Sequence, residues 1–174
     1  REVRDGGGIS PDKEIKAEKL PNILFYLVAD NQIFDFATAY CLKHPAIVPV
    51  EEFLVTSEDY EAFKEQVKKA DFKYDRQSEK VLKNLKEVAE FEGYMDDASE
   101  EFKALEKKLT HDLDRDLNHF SKDIKKLIAD EIVKRYYYQR GSILEQLKDD
   151  DSVKEAIKIL NAQPEYRKIL TKKE

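Results

Sequence analysis

The chain has little cysteine, glycine or proline and no tryptophan. Its 174 residues include one Cys, five Gly and five Pro. The single cysteine, Cys41, excludes an internal disulfide, so cysteine usage does not indicate the redox compartment. A composition poor in turn formers and rich in Glu, Lys and Leu favours helices and counts against an all-β sandwich. We therefore predict an all-α protein, long enough for one domain with a sizeable core.

Long apolar runs and an excess of positive charge are also missing. Within the most apolar stretch, from Ile23 to Leu42, the longest uninterrupted run covers residues 23–29, far below the ~20 residues that a membrane-spanning helix needs. The 31 Lys and Arg against 37 Asp and Glu give a formal net charge of −6, so the chain lacks the positive field that attracts nucleic acid. We therefore expect neither a membrane span nor a nucleic acid partner.

Apolar residues at helical spacing divide the chain into predicted helices. Residues 22–41 are apolar on most faces, which predicts two buried helices separated at Asp30-Asn31-Gln32. The prolines at 45 and 49 cannot continue a helix, so a linker that ends near Val55 is expected. The hydroxyls of Thr56-Ser57 can accept from free amides and mark the start of a third helix.

The stretch between Gly93 and Gly141 contains neither glycine nor proline. Its apolar residues from Phe102 to Ile132 recur mostly every three or four positions, which predicts a helix of ~40 residues, or two collinear helices broken near Thr110. The helix that opens at Ser78 and ends in a left-handed cap at Gly93 is expected to supply the other arm of a long antiparallel hairpin. Shorter helical patterns follow Gly141.

No serine or cysteine has the sequence surroundings of a catalytic nucleophile. Five serines precede helical apolar patterns, and an N-cap role explains each of them: Ser57, Ser78, Ser121, Ser142 and Ser152. Gly141-Ser142-Ile143 lacks the second glycine of a G-x-S-x-G turn. Cys41 lies in an apolar helix, where it is predicted to be a small core residue. We assign no catalytic residue.

The segment 111–119 is the strongest metal candidate. His111 and His119 stand eight residues apart, with three aspartates between them at 112, 114 and 116. Arg115 lies between the histidines on the same helical face and would repel a cation, and there is no His pair at i, i+4. A solvated helix face is therefore the expected structure, and we predict no metal and no cofactor. A metal enzyme here would require stoichiometric metal in the purified protein.

Two other patterns are weak indications of a nucleotide or nucleic acid site. The tract Arg135–Arg140 interleaves cations with three tyrosines, which would suit base stacking on a basic surface. Because this chain is acidic, we predict instead a helix end that packs against another domain. The triple glycine 6–8 could approach a phosphate, but no Lys-Ser or Lys-Thr follows it and no helix begins at once.

The first twelve residues resemble the stretch that closes the protease domain of the carboxyl-terminal processing peptidases, also called tail-specific proteases. Gly8-Ile9-Ser10-Pro11-Asp12 matches a Gly-Ile-x-Pro-Asp element of that family. Three further segments are similar to the helical C-terminal extension of a bacterial branch: Ile33–Ala37, Val88–Tyr94 and Tyr136–Gly141. The resemblance covers nearly the whole chain.

The resemblance implies a noncatalytic part of a serine endopeptidase. That family cleaves proteins with a Ser nucleophile and a Lys base, and both lie upstream of the Gly-Ile-x-Pro-Asp element. No position here matches them, so no catalytic residue is carried over and the chain is expected to be inactive alone. The chain begins at Arg1 rather than Met, and we interpret it as a piece of a longer protein.

The same resemblance predicts the domain organisation and the partners. Residues 1–20 would be the end of the peptidase domain and a linker, in extended conformation, and residues 21–174 a helical C-terminal domain for structure, assembly or active-site access. The partners would be the parent's own peptidase domain and, through the parent, protein substrates in the periplasm or cell envelope of a bacterium. Homo-oligomerisation stays open. The alternative is a free-standing helical interaction module without a proteolytic parent.

Overall fold

The computed structural model describes residues 11–16, 20–109 and 112–171. Regular secondary structure within these ranges is entirely helical, which confirms the all-α prediction. The described helices are α1 Asn22–Ala29, α2 Gln32–Lys43, α3 Ser57–Lys69, α4 Gln77–Phe91, α5 Ser99–Leu109, α6 Leu113–His119, α7 Ser121–Leu147, α8 Asp151–Asn161 and α9 Gln163–Leu170. The glycine-rich extended segment predicted before Pro11 lies outside the described residues. Among the helices that are described, none has both the length and the apolar character required to cross a membrane.

The break between α1 and α2 and the start of α3 lie where the sequence predicts. Asn31, with φ of 60°, separates α1 from α2 inside the predicted break. The linker between α2 and α3 contributes three buried apolar residues to the core: Val50, Phe53 and Val55. Thr56 caps α3, because its hydroxyl accepts from the Asp59 amide at 3.1 Å while the Asp59 carboxylate accepts from the Thr56 amide at 3.2 Å.

The core lies between α1, α2, α3, α6 and the first part of α7. Each of these helices contributes at least one fully buried side chain: Ile23, Leu27, Ala37, Phe63, Val67, Leu117, Ile124, Ile128, Ile132 and Val133. The apolar line predicted from Phe102 to Ile132 is thus buried at Leu117, Ile124, Ile128 and Ile132. Its earlier part is not, since Leu105 of α5 is 42% exposed.

The prediction of a single helix of ~40 residues is wrong, because three helices, α5, α6 and α7, occupy this stretch. α5 ends at Leu109, and Asp112 then caps α6 by accepting from the Arg115 amide at 3.1 Å. The predicted break near Thr110 thus agrees with the helix bounds. A second break at Phe120, with φ of −97° and ψ of 16°, separates α6 from α7. It was not predicted, because both helices bury their apolar residues in the same core and the spacing continues across the break.

The predicted hairpin exists, but its second arm is α5 alone. Lys86 of α4 pairs with Glu106 of α5 at 2.6 Å, and Arg76 donates to the Leu109 carbonyl at 2.8 Å, so the helices run antiparallel. The cap at Gly93 is confirmed, with φ of 82°. The amide of Tyr94 donates to the Ala89 carbonyl at 2.9 Å in the turn that a positive-φ glycine permits.

The prediction that five serines cap helices is wrong. Ser57 and Ser121 are the first residues of α3 and α7, Ser78 and Ser152 are the second residues of α4 and α8, and Ser142 lies inside α7. At α8 the preceding Asp150 takes the cap position, and its carboxylate accepts from the amides of Ser152 and Val153 at 2.7 and 3.0 Å. A charged acceptor there forms stronger hydrogen bonds than a hydroxyl.

Candidate functional site

Helix α7 reverses direction at Tyr138. This residue has φ of 56° and ψ of −152°, outside the helical region. Ser142 donates to the Asp130 carboxylate at 2.6 Å, and Lys126 pairs with Asp149 at 3.0 Å. In a straight helix those pairs would be about 18 Å and about 35 Å apart along the axis. α7 is therefore two antiparallel arms, residues 121–137 and 139–147.

Gly141 lets the two arms approach closely. A Cβ atom at this position would lie 2.6 Å from the Tyr137 Cβ and 2.9 Å from the Val133 carbonyl oxygen. Neither atom is the far end of a flexible side chain, so one of the arms would have to shift.

We expect Gly141→Ala to lower the free energy of unfolding by about 1–3 kcal/mol, because an added methyl group in a packed contact forces the backbone to move. Urea denaturation monitored by circular dichroism measures this loss. Gln139→Ala, at an exposed position of the same turn, is the matched control and should be close to neutral. Equal stability of the two variants would show that the arms do not pack as described.

The tyrosine tract joins α7 to α2 and its linker. The Tyr136 hydroxyl donates to the His44 carbonyl, and the Tyr137 hydroxyl to the carbonyls of Ile47 and Val48 at 3.2 Å each. Two of the three tyrosines thus pack on this domain itself, which corrects the prediction that the tract meets another domain. Tyr138 is 78% exposed, because the turn directs it to solvent.

Arg135 makes the most extensive contact of the tract. Its guanidinium donates to the Thr38 hydroxyl at 2.5 Å and to the Phe34 carbonyl at 2.9 Å, and it lies 4.4 Å from the centre of the Phe34 ring. It also pairs with Glu131 at 3.1 Å. Arg135, Tyr136 and Tyr137 are therefore used inside the fold rather than presented as a stacking surface for bases.

The aspartates of the metal candidate point to different partners. Asp112 caps α6, Asp114 pairs with Lys68 of α3 at 2.8 Å, and Asp116 accepts from the Tyr74 hydroxyl at 2.7 Å. The hydrogen bond from Lys68 lowers the pKa of Asp114. Burial, and then the hydrogen bond to Asp116, raise the pKa of Tyr74.

The histidines add no ligand geometry to this region. His119 ends α6 with its ring edge-on to Phe120 at 4.6 Å between centres. His111 lies outside the described residues. Across the described ranges, no cluster of three or more His, Cys, Asp or Glu side chains is arranged to hold a metal ion. Cys41 is half-buried against the core, as predicted.

A cleft of about 630 Å³ lies between the two arms of α7 and the end of the linker. Leu54, Val55 and Leu127 line it together with charged residues of both arms. Several of these charges are paired: Lys126 and Lys154 both donate to Asp149 and lower its pKa to about 2, and Lys148 pairs with Glu145 at 2.5 Å.

The strongest candidate for a functional surface is one side of α8. Four apolar residues recur there at helical spacing: Val153, Ala156, Ile157 and Leu160. We call this set the α8 face. Ile157 and Leu160 are each about half exposed, and no residue of α8 or α9 is buried among the described residues. An amphipathic helix normally buries such a line of residues, so the α8 face is suited to contact another protein surface.

The chain segment before α1 reaches the same helix. Lys13 pairs with Glu155 of α8 and approaches Glu165 of α9 to 4.0 Å. The hydrogen bond to Glu155 raises the pKa of Lys13, and that from Lys13 lowers the pKa of Glu155. Residues 11–16 therefore lie against the α8–α9 pair.

Comparison with protein families shows that residues 23–160 match a family model. The matching family is described as "Probable PDZ-protease, C-terminal helical domain". Comparisons with curated proteins and with solved structures found no match. The matched range extends from α1 through the α8 face, so it includes the core, the α4–α5 hairpin and both arms of α7.

Proposed function

Because the chain belongs to the family of C-terminal helical domains of probable PDZ-proteases, we propose that it is a noncatalytic module that docks on the peptidase domain of its parent through the α8 face. The parent, in this proposal, is a serine endopeptidase of the carboxyl-terminal processing type that works in the bacterial periplasm or cell envelope. Residues 1–20 are the end of the peptidase domain and the linker, and residues 21–174 hold the peptidase domain in its working position.

The α8 face is the observation that carries this proposal. Each core helix buries apolar residues within the domain, whereas α8 buries none among the described residues and leaves Ile157 53% and Leu160 52% exposed. Burying two such side chains fully stabilises a contact by about 1.5–3 kcal/mol each at most. The contact of Lys13 with Glu155 supports docking at this helix, because it places chain that precedes α1 beside α8.

The test is a double substitution on the α8 face, Ile157→Asp with Leu160→Asp. In the full-length parent we expect it to lower the thermal stability of the peptidase domain and its proteolytic activity, because two charges would enter an apolar contact. The same substitutions in the isolated 174-residue chain should leave its unfolding unchanged, because both side chains are exposed there. Lys158→Ala, at an exposed position outside the face, is the matched control. Unchanged stability and activity of the parent would contradict docking through α8.

The 174-residue chain alone should not cleave proteins or peptides. The covalent route needs a nucleophile beside a base, and this chain matches neither the serine nor the lysine of the resembled peptidases. A fluorogenic protein substrate measures the activity, with the full-length parent as the positive control. Turnover by the purified chain that a serine-directed inhibitor abolishes would show that a catalytic pair is present after all.

A further inference from the structure

Each helix of the α4–α5 hairpin carries an exposed line of residues, which is apolar on α4 and on α5 has one apolar residue between two charged ones. On α4 the line is Val81, Leu85 and Val88, which are 62%, 50% and 50% exposed. On α5 the line consists of Glu101, Leu105 and Lys108, which are all exposed, and the exposed fraction of Leu105 is 42%. The spacing i, i+4, i+7 puts the members of each line on one side of their helix.

Both lines lie on the same side of the hairpin. The ion pair of Lys86 with Glu106 marks where the two helices face each other. At 3.6 residues per turn, the α4 line lies at a fixed angle around the α4 axis from Lys86. The α5 line lies at the same angle, in the same direction, around the α5 axis from Glu106. Because the helices are antiparallel, equal rotations bring both lines to one side. We call this side the hairpin face.

Charge is distributed unevenly along the hairpin. The half near the core, residues 77–86 and 104–109, contains five lysines and two glutamates, a net charge of +3. The half that includes the turn, residues 87–103, contains seven carboxylates and one lysine, a net charge of −6. On the hairpin face, Lys108 belongs to the basic half and Glu101 to the acidic half. Neither side chain forms an ion pair with another described residue.

We propose that the hairpin face pairs with the hairpin face of a second copy of this chain, around a two-fold axis. Such an axis superposes the acidic half of each copy on the basic half of the other, so Glu101 of each copy meets Lys108 of the second. Leu85, Val88 and Leu105 lie near the middle of the face, where the axis passes and where the paired surfaces exclude water. The result is an antiparallel bundle of four helices.

The size of the hairpin face predicts a concentration-dependent dimer. A helix of 15 residues such as α4 is about 22 Å long, and two helices side by side are about 20 Å wide. A contact of this extent is at the lower end of specific interfaces, so the monomer and the dimer should exchange and high salt should weaken the dimer. This surface is distinct from the α8 face, so each proposal can fail without the other.

The test is a charge exchange followed by analytical ultracentrifugation of the 174-residue chain. At low salt the wild type should shift with concentration from 20.4 kDa toward twice that mass. Glu101→Lys and Lys108→Glu should each raise the dimer dissociation constant about tenfold or more, because like charges then meet at both ends of the interface. An equimolar mixture of the two variants should dimerise again, as should the variant that carries both substitutions.

Lys83→Glu is the matched control, because it reverses a lysine of the same basic half on the side of α4 away from the hairpin face. It should dimerise like the wild type. Circular dichroism melting of every variant establishes that each one folds. A wild type that stays at 20.4 kDa over the whole concentration range, or a mixture that fails to dimerise, would overturn the proposal. Equal weakening by Lys83→Glu would also overturn it, by showing a nonspecific charge effect.

Discussion

Leu117→Ala should lower the free energy of unfolding by about 2–5 kcal/mol, and Ile124→Ala by a similar amount. Both side chains are fully buried, Leu117 on α6 and Ile124 on α7. Each truncation removes apolar contacts and leaves a cavity between helices that can close only in part. Chemical denaturation followed by circular dichroism measures the loss for each variant.

Lys122→Ala is the control for these truncations. It is exposed on α7, so its removal should change stability by about 0.5 kcal/mol or less. The neighbouring Lys125, which the helical spacing predicts to be exposed, is half-buried and lies 5.3 Å from the centre of the Tyr60 ring, so it is a poorer control. Equal small losses for Leu117→Ala and Lys122→Ala would show that this part of α6 is not in the core.

Helix bounds that depend on local chemistry were predictable from the sequence. The polar residues 30–32, the prolines of the linker, the Thr56 cap and Gly93 all act on the backbone beside them, so the pattern alone indicates where helices begin and end. Burial was predictable only in part: helical spacing identifies Leu117, Ile124 and Ile132 as buried, but it also predicts the burial of Leu105, which is 42% exposed.

The reversal of α7 was not predictable, because distant contacts hold it. Tyr138 takes a positive φ that tyrosine rarely adopts, and no glycine or proline occupies the turn itself. The strain is offset by the contacts of Arg135 and Tyr137 with α2 and the linker, and by the close approach at Gly141. Gly141 permits the two arms of α7 to approach closely, but in the sequence this glycine indicates only an interruption of the helical pattern.

The candidate metal site shows the limit of spacing arguments. Aspartates at 112, 114 and 116 resemble a ligand set in the sequence, but their partners are a backbone amide, a lysine of α3 and the Tyr74 hydroxyl. The first contact is local to α6, whereas the other two form only because α6 packs against the rest of the chain. The α8 face was visible as an apolar pattern, whereas its exposure is known only from the structure.

Asp116→Ala should lower the free energy of unfolding by about 3 kcal/mol, the second large effect that the structure predicts. Asp116 is buried, accepts from the Tyr74 hydroxyl at 2.7 Å and lies 3.8 Å from the Arg76 guanidinium. Its removal leaves a partly buried hydroxyl without this acceptor and a largely buried cation without one of its counter-charges. Urea denaturation at neutral pH measures the effect.

Asp114→Ala is the matched control, two residues earlier on the same helix. Its pair with Lys68 is half exposed, so the loss should be much smaller than that of Asp116→Ala. Asp116→Asn separates charge from hydrogen bonding, because an amide oxygen can still accept from Tyr74 but carries no charge for Arg76. We expect its loss to lie between those of Asp114→Ala and Asp116→Ala. Equal destabilisation by Asp114→Ala and Asp116→Ala would show that burial does not strengthen the contacts of Asp116. Asp116 would then not be the residue that joins α6 to residues 74–76.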